Sequence, residues 1–252
     1  MKKVLITIMT HGNEIVGMKT AQELRKRYPK LIGNGLDILV ANEEAFTHKK
    51  RFIDHDLNRI FPGKRTGSYE ETRAFKLKKI IASYPLVIDI HSTESGSKDI
   101  VIVTKMNQAT KKILSILSPR YVLYMKMKPD TSLISSSTNG VALEMGKDKD
   151  KATLAKNVKV IEKILLHYKL ITSTKKYSSY KTEYFEVEKS VSKPQGAKLL
   201  SHIKNFTLIK KGDAYAETST KELIIAEENF YPVIFGSKNY KTIFGFSAQK
   251  VS

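Results

Sequence analysis

The chain has 252 residues, 41% of them hydrophobic, which suits one large soluble domain or two small ones with a core that needs no disulfide staple. It contains no cysteine, which excludes a disulfide scaffold, a Cys-ligated zinc finger, an iron–sulfur cluster and a thiol nucleophile. The 44 Lys and Arg against 25 Asp and Glu leave a formal charge of +19, a surface that attracts anions without saying which: nucleic acid, anionic lipid and a small carboxylate substrate all fit.

Val4–Met9 is a short apolar run and reads as a buried strand. Lys2 and Lys3 before it imitate a signal peptide, but the run is too short and no small-residue cleavage site follows. No apolar stretch approaches the roughly 18 residues of a membrane span. The expectation is a cytoplasmic protein with no membrane partner. Glu14–Tyr28 carries apolar residues at helical spacing and ends at Pro29; Leu36–Ala41 reads as a second strand. Ser68-Tyr69-Glu70-Glu71 forms a capping box that opens a helix to about Tyr84. Strands are expected at Leu86–Ile90, Asp99–Thr104, Tyr121–Met125 and Val141–Met145, and helices at Gln108–Leu117 and Ala152–Tyr168. This alternation predicts an α/β domain with a mostly parallel sheet over residues 1–172. From Thr182 the signals shorten and become β-like: Tyr184–Val187, Phe206–Ile209, Leu223–Ala226, Tyr231–Phe235 and Thr242–Phe246. A smaller β-rich C-terminal domain over residues 173–252 is expected, with Thr172–Lys181 as the linker.

Four segments could carry chemistry. His11-Gly12-Asn13-Glu14 stands where the first strand meets the first helix, and H-x-x-E there offers two candidate zinc ligands; a helix N-cap with a first-turn acid is the plainer alternative. His91 ends the strand Leu86–Ile90 on the same rim. Asp89, two residues back, faces the same way and could orient its imidazole, although a surface His and a buried Asp–Arg pair fit as well. Two His and one Glu leave a fourth position open, as in catalytic zinc sites. Arg51 to Gly63 places Arg51, Asn58 and Arg59 in a loop, where a guanidinium can grip a carboxylate or merely bridge at the surface. Glu144, at the end of Gly140-Val141-Ala142-Leu143, is costly to bury unless paired or functional, and burial would raise its pKa toward general-base use.

His11-Gly12-Asn13-Glu14, Asp56-Leu57-Asn58-Arg59-Ile60-Phe61, Asp89-Ile90-His91 and Leu143-Glu144-Met145-Gly146 together resemble the motif series of the aspartoacylase / succinylglutamate desuccinylase family, within the zinc carboxypeptidase-like superfamily. The resemblance implies an α/β fold with a zinc carboxypeptidase-like mixed sheet flanked by helices and a smaller β-rich C-terminal domain. It implies a zinc-dependent amidohydrolase (deacylase) acting on an N-acyl amino acid or similar small carboxylated amide. One Zn2+ per chain would be held by His11, Glu14 and His91, with Asp89 behind His91. Arg51 would stabilise the oxyanion, and Asn58 and Arg59 would hold the substrate's α-carboxylate. Glu144 would be base and then acid, and Tyr240, in Gly236-Ser237-Lys238-Asn239-Tyr240, would reach the site from the C-terminal domain; an ordinary core or surface tyrosine is its alternative.

One departure concerns specificity. The family pattern implies an arginine about ten residues before the general base, reading a second substrate carboxylate. That count reaches Ile134; no arginine lies between Arg120 and Glu144, and Lys126 or Lys128 could substitute only with a rearranged loop. The acyl group and the amino acid therefore stay open. A zinc carboxypeptidase acting on short peptides is the alternative enzyme. A basic nucleic-acid-binding protein is the alternative of another class; scattered lysines and the lack of any nucleic-acid motif disfavour it. A homo-oligomer is compatible with the sequence.

Overall fold

The computed structural model describes residues 4–93, 99–127, 130–174, 177, 179–237 and 240–251. Its first part runs β1 (Val4–Ile8), α1 (Val16–Arg27), β2 (Leu36–Val40), α2 (Glu43–Thr47), α3 (Tyr69–Ala82), β3 (Leu86–His91), β4 (Ile100–Val103), α4 (Gln108–Leu117), β5 (Tyr121–Met125), β6 (Gly140–Glu144) and α5 (Lys151–His167). It continues as β7 (Glu183–Ser192), β8 (Lys198–Leu199), β9 (Ala214–Glu217), β10 (Leu223–Ile225), β11 (Tyr231–Val233) and β12 (Ile243–Val251). Short 3-10 turns lie at Pro29–Leu31, Leu57–Arg59 and Leu133–Ser136.

Nine strands join in one mixed sheet, in the order β11-β12-β7-β5-β4-β6-β3-β1-β2. β2, β1, β3 and β6 run parallel to one another. The direction reverses between β6 and β4, and β4, β5 and β7 form a second parallel block. β12 and β11 then add antiparallel edge strands. A mixed, flanked sheet with a β-rich C-terminal region is the architecture expected. β7, β11 and β12 carry the sheet past residue 173, and β10-β9-β8 form a separate three-stranded sheet.

One face of the large sheet is covered by α1, α4 and α5, through Val16, Leu24, Ile113, Leu117, Ile161 and Ile164 packed on Ile6, Ile88, Val101 and Val141. The other face receives α3, through Ala74, Leu77 and Ile81, over β1, β3 and β6. Farther along that second face, Phe185, Val187, Phe246 and Ala248 close a cluster with Leu123 and Ile100. A space is left between these two packed regions.

Several local expectations need correction. The first helix starts at Val16, two residues late. Its first turn lacks a local side-chain cap, and Asp148 Oδ1 instead accepts from the Val16 N–H at 2.7 Å. Phe206–Ile209 is not a strand: Phe206 has φ +66° and stacks its ring 3.7 Å from that of Tyr121, while Ile209 makes an isolated bridge to Phe230. β8, β9 and the five-residue α2 carry too little periodicity to be read from sequence. The Ser68–Glu71 capping box forms as expected. Of the expected linker, residues 175, 176 and 178 lie outside the described residues.

Two contacts set the loops around the space on the second face. Gly12 packs so closely on α2 that a Cβ there would stand 2.1 Å from the Ala45 carbonyl carbon. Glu70, fully buried in the first turn of α3, accepts from the backbone N–H groups of Ile53, Asp54 and His55 at 2.7, 3.0 and 3.2 Å and from Asn42 Nδ2 at 3.2 Å. One carboxylate thus clamps residues 53–55 to the helix. Glu70→Gln keeps the shape but turns an NH2 donor toward these N–H groups, leaving buried donors unsatisfied. It should lower stability by about 1–3 kcal/mol, read as a fall in urea midpoint at unchanged slope.

Candidate active site

The carboxyl ends of β1, β3 and β6 deliver the first set of side chains. β1 ends at Ile8, and the chain turns through Met9 (φ +57°) and Thr10 to His11. The Gly12 N–H donates to the Arg51 carbonyl at 3.2 Å, and the Glu14 N–H to the His11 carbonyl at 3.1 Å. This turn brings Glu14 back beside His11. β3 ends on His91, in register with Glu144 at the end of β6.

Glu14 lies between the two imidazoles. Its Oε1 is 2.7 Å from His11 Nδ1, and its Oε2 is 3.1 Å from His91 Nδ1. Oε2 also accepts from the Ser92 N–H at 3.0 Å. The ligand atoms of His11, Glu14 and His91 all lie within 4.8 Å of one another, and all three residues are buried.

The outward-facing ring nitrogens are held by other carboxylates. His91 Nε2 meets Asp89 Oδ2 at 2.7 Å, and Asp89 Oδ1 accepts from the hydroxyls of Thr7 and Thr10 at 2.8 Å each. His11 Nε2 meets Asp56 Oδ1 at 3.1 Å. His11 Nε2 also lies 2.9 Å from Arg51 Nη2. Each imidazole therefore has its Nε2 held by neighbouring side chains and its Nδ1 turned to Glu14, where Nδ1 can serve as a ligand atom. Two nitrogens and a carboxylate oxygen, converging and backed in this way, suit a borderline-soft divalent cation such as zinc.

Charge is concentrated here. Burial pushes Glu14 up, but His11 and His91 outweigh it and hold Glu14 well below the usual carboxylate range. Burial pushes His91 down, but Asp89 and Glu14 outweigh it and hold the imidazole well above its ordinary value. Asp56 is raised by burial and lowered further by its His11 bond and by the charges of His11, Arg51 and Arg59, for a net depression. Glu144 differs: burial raises it to about 8 against the opposing pull of His91, and its Oε2 has no hydrogen-bond partner among the described residues.

Arg51 Nε and Nη2 donate to Asp56 Oδ2 at 3.3 and 3.2 Å, and Nη1 lies 3.5 Å from Glu14 Oε1. The Asn58 side-chain oxygen accepts from the Leu133 N–H at 2.9 Å, which leaves its NH2 as the group able to donate. Arg59 Nη1 donates to the Asn58 carbonyl at 2.8 Å. Tyr240 packs 6.0 Å from the Phe246 ring, and burial followed by the charge of Glu144 pushes its hydroxyl up to about 12. These residues share one cavity of about 430 Å³.

The structure thus gathers His11, Glu14, His91, Arg51, Asn58, Arg59, Glu144 and Tyr240 around one space, with Asp89 directly behind His91. The sequence pattern alone does not single out Asp56 or Glu70. Asp56 opens the segment Asp56–Phe61, and the need of each ligand imidazole for an orienting carboxylate is the signal that points to it. Glu70 is legible only as an acid in the first turn of a helix. Lys126 is exposed and pairs with Glu186 at 2.7 Å, away from the cavity, whereas Ile134 lines it. Lys128, Lys238 and Asn239 lie outside the described residues. No described helix is long and apolar enough to cross a membrane.

The chain is similar to known proteins in sequence and in fold. The chain is 28% identical over 163 residues to a probable aspartoacylase of Trichodesmium erythraeum, covering 57% of this chain and 55% of that protein. It is 26% identical over 170 residues to a human N-acyl-aromatic-L-amino acid amidohydrolase (carboxylate-forming), covering 58% and 53%. The match spans about half the length of each of these relatives. In fold, the crystal structure of murine aminoacylase 3 superposes with a TM-score of 0.83 at 19% identity, over 99% of this chain and 95% of that one. The model of the succinylglutamate desuccinylase/aspartoacylase catalytic domain matches residues 1–168, most of the chain and all of the residues around the imidazole cluster except Tyr240, and the chain belongs to that family.

Proposed function

We propose that the protein is a zinc-dependent deacylase that hydrolyses the amide bond of an N-acyl amino acid or similar small carboxylated amide. The observation that carries this reading is the pair of Nδ1 atoms converging on Glu14 while Asp56 and Asp89 hold the rings from behind. His11, Glu14 and His91 would hold one Zn2+ per chain. When bound, the ion would supply a water whose pKa is lowered toward about 7 and a Lewis acid for the amide carbonyl.

The chain's own residues do the rest. Glu144, raised to about 8, is a carboxyl able to take a proton from water and return it to the leaving amine near neutral pH. Arg51, 3.5 Å from Glu14 and anchored by Asp56, stands where it can stabilise negative charge developing on the carbonyl oxygen. Arg59 and the Asn58 NH2 can grip the substrate's carboxylate. Tyr240 keeps its proton at neutral pH and can donate a hydrogen bond.

The purified protein should carry about one zinc per chain, and a folded protein with no affinity for zinc would refute the reading. Asp89 and Glu14 favour the protonated form of His91 against the effect of burial, and a bound ion would need the free lone pair, so protons compete with metal. Zinc affinity should therefore fall with falling pH, by about tenfold per unit for each proton displaced, in competition titrations against a chromophoric chelator. Glu144→Gln should keep its zinc yet lose about 10²–10⁴ in kcat. Arg59→Ala should act mainly through a raised KM for carboxylated substrates, and steady-state kinetics showing KM unchanged would remove its anchoring role.

A further inference from the structure

The cavity has two chemically different halves. One holds the imidazole cluster with Arg51, Asn58 and Arg59; the other is walled by Ile102, Met125, Met127, Ile134, Ile234 and Phe246. The change of character follows the sheet. Thr7, Asp89, Ala142, Ile102 and Leu123 stand in one register row across β1, β3, β6, β4 and β5. Within this row the side chains are polar on β1 and β3 and apolar on β6, β4 and β5; two residues further on the same face, Glu144 on β6 and Thr104 after β4 also line the cavity. Met125 lies two residues beyond Leu123 and shares its face. Ile134 is set against β6 because Gly140 has no side chain: a Cβ there would stand 2.5 Å from the Ile134 carbonyl oxygen.

No described cation serves the apolar half. The cations lining the cavity among the described residues are Arg51, Arg59 and Lys149. Arg51 is bound to Asp56, Arg59 belongs to the same loop, and Lys149 stands beside Asp148, which accepts from the Val16 N–H near Glu14 and so places Lys149 by the start of α1 rather than on the strands of the apolar wall. Lys105 is the cation next to the Ile134 turn, and its ammonium is spent on the carbonyls of Ser135 and Ser137 at 2.8 Å each. A carboxylate entering this half would lose its water with no cation among the described residues to replace it. An aliphatic, thioether or aromatic group would meet branched side chains, an aromatic ring and two adaptable thioethers.

We propose that this half is a specificity pocket for an uncharged apolar group, so that the preferred substrate bears a single carboxylate, held at the arginine end. This rests on the deacylase reading above and narrows its substrate class. The apolar group belongs either to the amino acid side chain or to the acyl chain.

The test compares kcat/KM of the zinc-loaded full chain on N-acetyl-L-methionine, N-acetyl-L-leucine, N-acetyl-L-phenylalanine and N-hexanoylglycine with that on N-acetyl-L-aspartate. At least one apolar substrate should lead the aspartate derivative by about 10²-fold or more. Leadership by the first three assigns the pocket to the side chain, and by N-hexanoylglycine to the acyl chain. Ile134→Arg should narrow the gap by about tenfold or more in favour of aspartate. Met127→Arg, at a half-buried position, repeats the test if Ile134→Arg fails to fold. Equal or preferred hydrolysis of N-acetyl-L-aspartate overturns the pocket assignment and leaves the deacylase reading standing. Hydrolysis of none of the five by folded, zinc-loaded protein overturns the deacylase reading. Calorimetric binding to Glu144→Gln then still decides the pocket: tighter binding of N-acetyl-L-methionine than of N-acetyl-L-aspartate supports it, and the reverse overturns it.

Discussion

The carboxylate of Glu14 must satisfy two imidazoles and a backbone N–H at once, inside the protein, and the arrangement of the site follows from that demand. A buried charge of this kind is tolerable only when surrounded by matched donors. The imidazoles that surround it bring their own polar edges, and those need carboxylates in turn. Asp89 and Asp56 meet that need, and each is passed on again: Asp89 to two threonine hydroxyls, Asp56 to Arg51. The result is a chain of alternating charge running from the strand ends of β1 and β3 into the loop of residues 51–59. Glu70 closes it by fixing that loop to α3 through three backbone N–H groups. Glu144 lies next to this chain, and its Oε2 has no hydrogen-bond partner among the described residues, so burial outweighs the opposing charges of His91 and Arg51.

Much of this was legible because it is local. Strand ends that carry His, and a turn of two residues between His11 and Glu14, can be read from adjacent letters. α4 and β5 were placed to the residue, since their apolar spacing is set by one face on one core. What escaped depends on partners far along the chain. Asp56 meets His11 across 45 residues, and Asp148 caps α1 across 132. Phe206 looked like strand material because it is aromatic among apolar neighbours; its ring instead fills a stack against Tyr121, which only the assembled sheet provides.

The surplus of positive charge also takes on a spatial meaning. Glu14, Glu70, Asp89, Asp99 and Glu162 are buried, so part of the acidic complement is spent inside the protein. The exposed surface is accordingly richer in lysine, relative to acid, than the overall composition indicates. Such a field draws anions toward the molecule and is weakened by salt. It cannot select among them; that discrimination falls to the cavity, where Arg51 and Arg59 are placed one by one.

The sheet that passes from the first part of the chain into β7, β11 and β12 has a consequence for how such a protein can change. The groups backing the imidazole cluster all come from residues before 150, whereas Ile234, Tyr240 and Phe246 reach the cavity from the last twenty residues. The charged centre is therefore built by the first part of the chain alone, whereas the apolar wall is shared between Ile102, Met125, Met127 and Ile134 and the tail residues Ile234 and Phe246. Changes at Ile234 or Phe246 can reshape that wall without touching the groups that hold the imidazoles.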